Sequence, residues 1–539
     1  MAGHSAILHV VEEDTEYLPL PSLHDIYSSA PSHRKPEAIL QAEVKALIPS
    51  PVIQLPFEIL TQIFVYTLQT SRPLFTVVSL SQVSMQWRNI MLDNPKYWTD
   101  VVLDFDLYTG GRVKPGNIER GWSTAFWEEI LMRSNDLPLL VTVTGSLVDE
   151  HPSAQDLETS NWKIKSFPAN SGPSLEAVAI RSSRWFHVFL HVADPDYIYD
   201  RLDMMGVNFT NMHSLDMSRP EHSSSYTGLC PPFLSRCLSL EVAVLPSDIS
   251  PVAASGRTLR MQAPALRKLE FQKQEASYIS TLIHAYPNLT SLEIHEIILP
   301  SLGDPLWQPP LRFRATESFL QSLTLNFIPR AAEFTMARGL ANLSLPHLEE
   351  LHLHCEEAES SYPSTGNPFL GGPLANLMAG HELVRTLPLF LMLQNEAAKK
   401  FNAPGLKILE IQNLIRASGR GSLQRVLNAL PHGLQSLDIG EFIQSSLPSE
   451  FNEENLAILS GQGGRILPDL KRLWLSITGA MDPELDHVIV NMIQERCRAG
   501  CSVEMEFNRY DWLPERQALL DAEAERISAE GRGEVVFLW

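Results

Sequence analysis

Histidines and one cysteine cluster in a short stretch of the chain that contains His347, His352, His354 and Cys355. Imidazole and thiolate groups are common ligands of Zn²⁺ in proteins. On a β-strand His352 and His354 would share one face, but Leu351 and Leu353 on the opposite face turn the histidines outward. No matching ligand pair is apparent elsewhere in the sequence. The sequence therefore predicts a pair of surface histidines, with neither a metal nor a cofactor.

Sequence patterns that support catalysis do not appear in the chain. There is no GxGxxG after a strand, no GxxxxGK followed by Ser or Thr, no GxSxG and no HExxH. The five cysteines are odd in number and form no CxxC pair, which favours a reducing, intracellular compartment over a disulfide framework or a structural zinc site. We therefore expect a non-catalytic protein with no catalytic residue.

A hydrophobic-x-x-hydrophobic-x-hydrophobic pattern, often preceded by proline, recurs along the chain and predicts one β-strand per copy. The first leucines of successive copies are 23 to 36 residues apart, except for one step of 58 residues between Leu348 and Leu406. That step predicts a degenerate unit near Leu383–Leu389. The copies are PALRKLEF, PNLTSLEI, FLQSLTL, PHLEELHL, PGLKILEI, HGLQSLDI and PDLKRLWL, with a weaker copy, NMHSLDM.

A stack of such units predicts an irregular leucine-rich-repeat horseshoe, an α/β solenoid whose parallel strands line a concave surface. Residues that alternate with the leucines would face outward and could bind a protein substrate, although each could equally be a solvated surface residue. Trp474 could anchor an interface or pack under a neighbouring loop. The candidate substrate-binding residues are Glu270, Glu293, His352, Glu410, Asp438, Arg472 and Trp474.

Residues 51–103 predict three short helices that are too apolar to stand alone. Pro56 suits a first helical turn, and the apolar face of that helix recurs at helical spacing. Arg72–Pro73 separates the first helix from the second, and Asn94–Pro95 ends the third. Residues 1–50 precede them as a weakly ordered lead-in with a short helical pattern, PEAILQAEVKALI.

This segment resembles the F-box family, and more narrowly the F-box-like proteins abundant in mushroom-forming fungi. Departures are Ser84 where cysteine is usual, Met85 in place of a common arginine, and Tyr97 where leucine is common. The matching residues are Pro51, Leu55, Pro56, Glu58, Ile59, Leu60, Ile63 and Phe64 in the first block, and Leu80, Val83, Trp87, Arg88, Ile90, Pro95, Trp98 and Val102 in the second.

The resemblance implies a substrate-recognition subunit of an SCF-type ubiquitin ligase. Its module would bind a Skp-type adaptor and, through it, a cullin–RING ligase, while the repeats hold a protein substrate. The same residues could also pack the three helices together, which we expect chiefly of Trp87 and Trp98. The implied adaptor-binding residues are Leu55, Pro56, Ile59, Leu60, Ile63, Val83 and Trp87.

A different class of function is a protein-binding scaffold whose F-box-like helices only cap the repeats. An enzyme is a third alternative, and it would need a deep polar pocket with convergent titratable groups.

The remaining segments complete the domain plan. Residues 104–175 form a linker with a helix at Phe126–Arg133, a strand at LPLLVTVTG and a polar loop from 150 to 175. Residues 176–480 form the repeat array. Residues 481–539 form a C-terminal cap of helix, strand, helix and strand, which closes the core of a solenoid.

Composition limits the possible partners. The 539-residue chain carries a formal net charge of −21, which argues against nucleic-acid binding because that requires a basic surface. No stretch is apolar enough for a membrane span, and the N-terminus lacks the features of a secretory signal. We expect an intracellular protein of the cytoplasm, the nucleus or both.

Overall fold

The structure is a computed structural model. It describes residues 55–69, 73–104, 124–145, 171–192, 195–218, 231–246, 261–275, 279–298, 318–327, 343–355, 373–412, 422–441, 449, 451–461, 467–477, 483–507, 514–531 and 533–538. The predicted lead-in at 1–50 lies outside these residues.

Helices occur in the module at the N-terminal end and between strands along the chain. They are α1 (Phe57–Gln69), α2 (Pro73–Ser81), α3 (Met85–Leu92), α4 (Thr124–Arg133), α5 (Ser171–Ala179), α6 (Pro195–Met204), α7 (Ile279–Ala285), α8 (Pro373–Phe401), α9 (Ser422–Ala429), α10 (Glu453–Ser460), α11 (Asp486–Arg498) and α12 (Pro514–Ala529). Short 3₁₀ turns lie at Pro95–Trp98, Ser182–Arg184, Pro232–Arg236 and Pro483–Leu485. None of the described helices is long and apolar enough to cross a membrane.

The described strands form one open sheet in which every neighbouring pair is parallel and the strand order follows the sequence, with two-residue β7 pairing only with β8. The strands are β1 (Asp100–Asp104), β2 (Leu139–Gly145), β3 (Trp185–Val192), β4 (Ser214–Asp216), β5 (Val242–Leu245), β6 (Lys268–Phe271), β7 (Gln274–Glu275), β8 (Ser291–Ile298), β9 (Ser322–Phe327), β10 (Glu350–Cys355), β11 (Ile408–Gln412), β12 (Ser436–Gly440), β13 (Arg472–Ile477), β14 (Ser502–Phe507) and β15 (Val535–Leu538).

The alternating pattern of each strand divides the sheet into an apolar face and a polar face. In β10 the side chains of Leu351 and Leu353 are fully buried, whereas His352 and His354 on the other face remain partly exposed. Parallel strands need crossover connections, and the helices between strands supply many of them. Their buried apolar residues join those of the strands in one hydrophobic core. The result is an open α/β arrangement of the solenoid type.

The backbone sets the register where each strand begins. Glu349 O accepts hydrogen bonds from both Lys407 N and Ile408 N, at 2.7 and 2.9 Å, and Lys407 O in turn accepts from Gln435 N and Ser436 N. The same pattern joins the starts of successive strands from β5 to β13. Because a parallel sheet shifted by one residue would turn its leucines outward, this repeated contact keeps the two faces separate.

The helical module packs directly on the sheet. Helix α2 contacts β1, and Leu60, Phe64 and Trp98 are fully buried in the continuous core. Trp98 Nε1 donates a hydrogen bond of 2.7 Å to Met91 O at the end of α3. The assignment of Trp98 to packing therefore agrees with its position.

Several local predictions are confirmed, including α4, β2 and the helix and strand order of the last 59 residues. The prediction of a degenerate repeat unit near Leu383–Leu389 is wrong. Strand β10 pairs directly with β11, and residues 383–389 lie in α8. The 58-residue step between Leu348 and Leu406 had suggested an additional strand, but the 29-residue helix α8 occupies the connection between β10 and β11.

The sheet also extends beyond the predicted array at 176–480. It begins at β1 within the predicted helical module and continues through β2 of the predicted linker. At the other end β14 and β15 of the predicted cap pair with it as further parallel strands. Helix α5 starts at Ser171, inside the predicted loop at 150–175. Sequence reasoning did not single out β3 or β5, whose apolar residues are valine, alanine and aromatic as well as leucine.

Asp100, at the start of β1, provides a test of this packing by pH. Its Oδ1 atom is buried without a hydrogen-bond partner, and burial raises the pKa of the carboxyl to about 6. An acid whose pKa is raised in the folded state destabilises the fold once it ionises, so its cost grows as pH rises from about 4 to 6 and then stays constant.

We therefore expect Asp100→Asn to raise the free energy of unfolding by about 1–2 kcal/mol at pH 7.5, a value reduced for partial solvent screening. The gain should shrink strongly near pH 4, where the wild-type carboxyl is protonated in the folded protein and about half protonated in the unfolded protein. Urea unfolding of both proteins at pH 4 and 7.5 measures the difference. An identical difference at the two pH values would contradict the assignment.

Candidate functional site on the polar face of the sheet

The polar face carries a continuous row of side chains that the strand register aligns, with one residue from each strand except β7, which lies off the main strand order. We name the eight residues from β6 to β14 the central row. Six of the seven residues predicted to bind a substrate lie in it, and Thr324 and Glu504 were not predicted. The central row is Glu270, Glu293, Thr324, His352, Glu410, Asp438, Trp474 and Glu504.

The seventh predicted residue, Arg472, lies at the start of β13, two positions before the central row. Its guanidinium Nη2 is 3.7 Å from Glu504 Oε2 on β14. Trp474 is partly exposed and lies beside Gly440, where an added Cβ would be 3.5 Å from Trp474 Cζ3. The indole therefore packs along β12 at ordinary van der Waals distance and remains on the surface of the polar face.

The closest group of titratable side chains on this face consists of His352, His354 and Glu410, which we name the His–Glu cluster. His352 Nδ1 lies 2.7 Å from Glu410 Oε2, and His354 Nε2 lies 3.3 Å from Glu410 Oε1. Register places His352 directly beside Glu410 although 58 residues separate them in the chain. In the sequence Glu410 stands apart from the histidine pair, because the long helix α8 lies between them.

Contacts within the His–Glu cluster favour its charged forms. The hydrogen bond from His352 lowers the pKa of Glu410 to about 2, and the adjacent His354 imidazole adds to this effect. The same bond to Glu410 raises the pKa of His352, against the opposing effect of burial. Because each partner stabilises the charge of the other, the two side chains form an ion pair where His352 is protonated and Glu410 is ionised.

Buried acceptor atoms flank the His–Glu cluster on both sides. Asn326 pairs with His354 in the register of β9 and β10, and Asp438 pairs with Glu410 in the register of β11 and β12. The Oδ1 atoms of Asn326 and Asp438 are buried without hydrogen-bond partners, as is His354 Nε2. Burial raises the pKa of Asp438, and the carboxylates of Glu410 and Glu504 raise it further. Unsatisfied buried acceptors beside two imidazoles are the features expected of a site for a cation or a hydrogen-bond donor.

Among the described residues outside the His–Glu cluster, His191, His213 and His295 also contact carboxylates, but none of them belongs to a group of three side chains that could hold a metal ion. His295 Nε2 is 2.9 Å from Glu270 Oε1. His191 Nε2 lies 3.3 Å from Asp216 Oδ1 and 3.2 Å from Ser218 Oγ. A nucleophile–base–acid triad uses different ring nitrogens for the hydroxyl and the carboxylate. Since both groups contact Nε2 of His191, this arrangement does not match a triad.

In the helical module, some of the predicted adaptor-binding residues are exposed and others are buried. Ile59, Ile63 and Val83 are 42, 43 and 60% exposed, and Pro56 is also exposed. Leu60 has no exposed area, so it packs the module rather than contributing to its surface.

Leu55 and Trp87 are partly buried against the core, and the Trp87 ring centroid lies 4.9 Å from that of Phe64. Ser84 caps α3, because its side chain accepts a hydrogen bond of 3.2 Å from Trp87 N. This cap gives a structural role to one departure from the F-box pattern, since serine is among the favoured N-cap residues.

No protein-family model and no curated protein matches the sequence significantly. The F-box resemblance therefore depends on the spaced residues of segment 51–103 alone.

Proposed function

We propose that the chain is a substrate-recognition subunit of an SCF-type ubiquitin ligase. The helical module, as an F-box, would bind a Skp-type adaptor, and the sheet, as an irregular leucine-rich-repeat horseshoe, would hold a protein substrate on its polar face. The observation that carries the proposal is the exposure of three apolar side chains, Ile59, Ile63 and Val83, on one small helical module. Exposed apolar side chains grouped on one small module are typical of protein interfaces.

The two surfaces suit different partners. The adaptor-facing surface is apolar, whereas the central row contains the carboxylates of Glu270, Glu293, Glu410, Asp438 and Glu504. We propose that the substrate presents a basic segment to this row, because complementary charge steers association and selects partners. Trp474 would supply the aromatic contact within the same row.

The proposed mechanism is proximity. A substrate bound on the polar face would be held near the ubiquitin-loading machinery that the adaptor recruits, which raises the effective concentration of its lysines. Side chains of this chain would bind and orient the substrate but take no part in bond formation. Such a role would place the protein in the cytoplasm or the nucleus.

The second candidate function is a protein-binding scaffold whose helices cap the sheet. It is favoured by the burial of Leu60, Phe64 and Trp98 in the same core as the first strands, because terminal caps protect the ends of solenoids. This role needs no adaptor.

We expect Ile59→Asp combined with Ile63→Asp to abolish binding to the Skp-type adaptor in a pull-down with the full chain. Two charges would have to be desolvated at an apolar interface, which weakens binding by at least 100-fold at about 1.4 kcal/mol per factor of ten. Both side chains are already exposed, so the thermal unfolding of the variant should resemble that of the wild type.

The matched control is Met132→Asp, which introduces a charge at a 63% exposed position on α4, outside the module. It should retain adaptor binding. If the folded wild type does not bind the adaptor, the ligase role is wrong and the scaffold role remains. If wild type and double variant bind equally, the adaptor interface lies elsewhere.

A further inference from the structure

We infer that His352, His354 and Glu410 form a binding site for one divalent transition-metal ion of the zinc class. Two imidazoles and one carboxylate are a common donor set for such ions, which often leaves a further coordination position open. This inference is independent of the proposed function, because metal binding by the isolated chain needs neither an adaptor nor a substrate.

Distances within the His–Glu cluster fit this donor set. One nitrogen or oxygen from each of the three side chains lies within 4.8 Å of the others. Tetrahedral coordination with bonds of about 2.0–2.1 Å places ligand atoms about 3.3 Å apart. The two distances to Glu410, 2.7 Å from His352 Nδ1 and 3.3 Å from His354 Nε2, are close to that value. Side-chain rotations that adjust these distances and bring the two imidazoles to a similar separation would admit an ion.

The strands hold the donors in place before an ion arrives. His352 and His354 are two positions apart on β10, so they project from the same face, and the register sets Glu410 beside them. Gln412 Nε2 donates a hydrogen bond to Glu410 Oε1 and orients the carboxylate. Glu350 Oε2 lies 4.0 Å from His352 Nε2, on the side of the ring opposite Glu410. A carboxylate in that position is a typical outer partner of a metal-bound imidazole.

The buried acceptor oxygens of Asn326 and Asp438 favour a bound metal ion over an ion pair alone. An ion pair between His352 and Glu410 leaves His354 Nε2, Asn326 Oδ1 and Asp438 Oδ1 buried without hydrogen bonds. A bound ion would use His354 Nε2 as a ligand. Water molecules on its open positions could donate to the two acceptor oxygens. Five polar groups from four adjacent strands would then have a common role.

The test uses the full chain, stripped with a chelator and titrated with Zn²⁺ by calorimetry. We expect one equivalent to bind, and His354→Ala to weaken binding at least ten-fold, since even the loss of an outer partner of a ligand costs 10–100-fold. His354 is partly exposed and its Nε2 atom makes no hydrogen bond, so its replacement should leave the fold intact. Co²⁺ in place of Zn²⁺ gives a visible absorption band that reports the ligand geometry, and this band should be lost with Glu410→Gln.

The matched control is His295→Ala, because His295 also contacts a carboxylate on the polar face but lacks a second imidazole. It should bind Zn²⁺ as the wild type does. The inference is overturned if the folded wild type binds no Zn²⁺, if His354→Ala binds the same number of ions with the same affinity, or if His295→Ala is weakened equally.

Discussion

Replacement of Trp98 by alanine is expected to lower the free energy of unfolding at the N-terminal end of the protein by about 3–5 kcal/mol. The side chain is fully buried, and its indole donates to Met91 O at 2.7 Å. The Arg133 guanidinium carbon lies 4.6 Å from the ring centroid, so the indole also connects α3 with α4. The substitution would therefore remove packing, a hydrogen bond and a cation–π contact together.

The loss should be local, because in stacked architectures each unit contacts chiefly its neighbours. Hydrogen exchange should become faster in α1, α2, α3 and β1 and remain unchanged in β10 to β14. Trp474→Ala serves as the control, since this partly exposed indole lies on the polar face. The loss of exchange protection in this variant should be smaller and confined to the region around β13. Uniform loss of protection along the whole sheet in Trp98→Ala would contradict a local role.

Arg496→Met is expected to lower the free energy of unfolding by about 2–4 kcal/mol. Arg496 on α11 is 4% exposed, donates to Leu459 O at the end of α10, and donates through Nη1 to Leu467 O at 2.9 Å. Burial lowers the pKa of the guanidinium, so hydrogen bonds to carbonyl oxygens must compensate for its desolvation. Methionine would fill much of the space but leave both carbonyl oxygens without this donor.

Arg498→Met is the matched control two residues further along the same helix. Arg498 is exposed and forms an ion pair with Glu495 one turn away, an interaction of at most about 0.5 kcal/mol. Urea unfolding of the two variants should therefore differ by more than 1.5 kcal/mol. Equal midpoints would mean that Arg496 does not hold α10 and α11 together.

These variants and those of the two proposed sites act on different parts of the molecule. Trp98 and Arg496 stabilise the module and the C-terminal helices, whereas Ile59 and Ile63 are exposed on α1 and the His–Glu cluster lies on β10 and β11. Loss of adaptor binding or of metal binding in a variant with unchanged unfolding can then be assigned to the surface that was altered.

The sequence by itself determined where most strands lie and which face of each is buried. Leu351 and Leu353 alternate with His352 and His354, and a period of two residues is a local property of extended backbone. The same logic located β6, β8 and β9, the strands from β10 to β14, and the amphipathic helix α4. Burial of the leucines then required a partner surface, which predicted stacking before any contact was known.

Only the tertiary structure decided that β10 and β11 are direct neighbours and at what register the strands pair. The 58-residue step between Leu348 and Leu406 suggested a hidden strand, but α8 spans the connection and the side chains of His352 and Glu410 lie side by side. The same pairing converts two unremarkable surface histidines into a cluster with a carboxylate and buried acceptors. Register depends on hydrogen bonds between distant carbonyl and amide groups and on the packing of whole units. Neither is encoded in the spacing of any single strand.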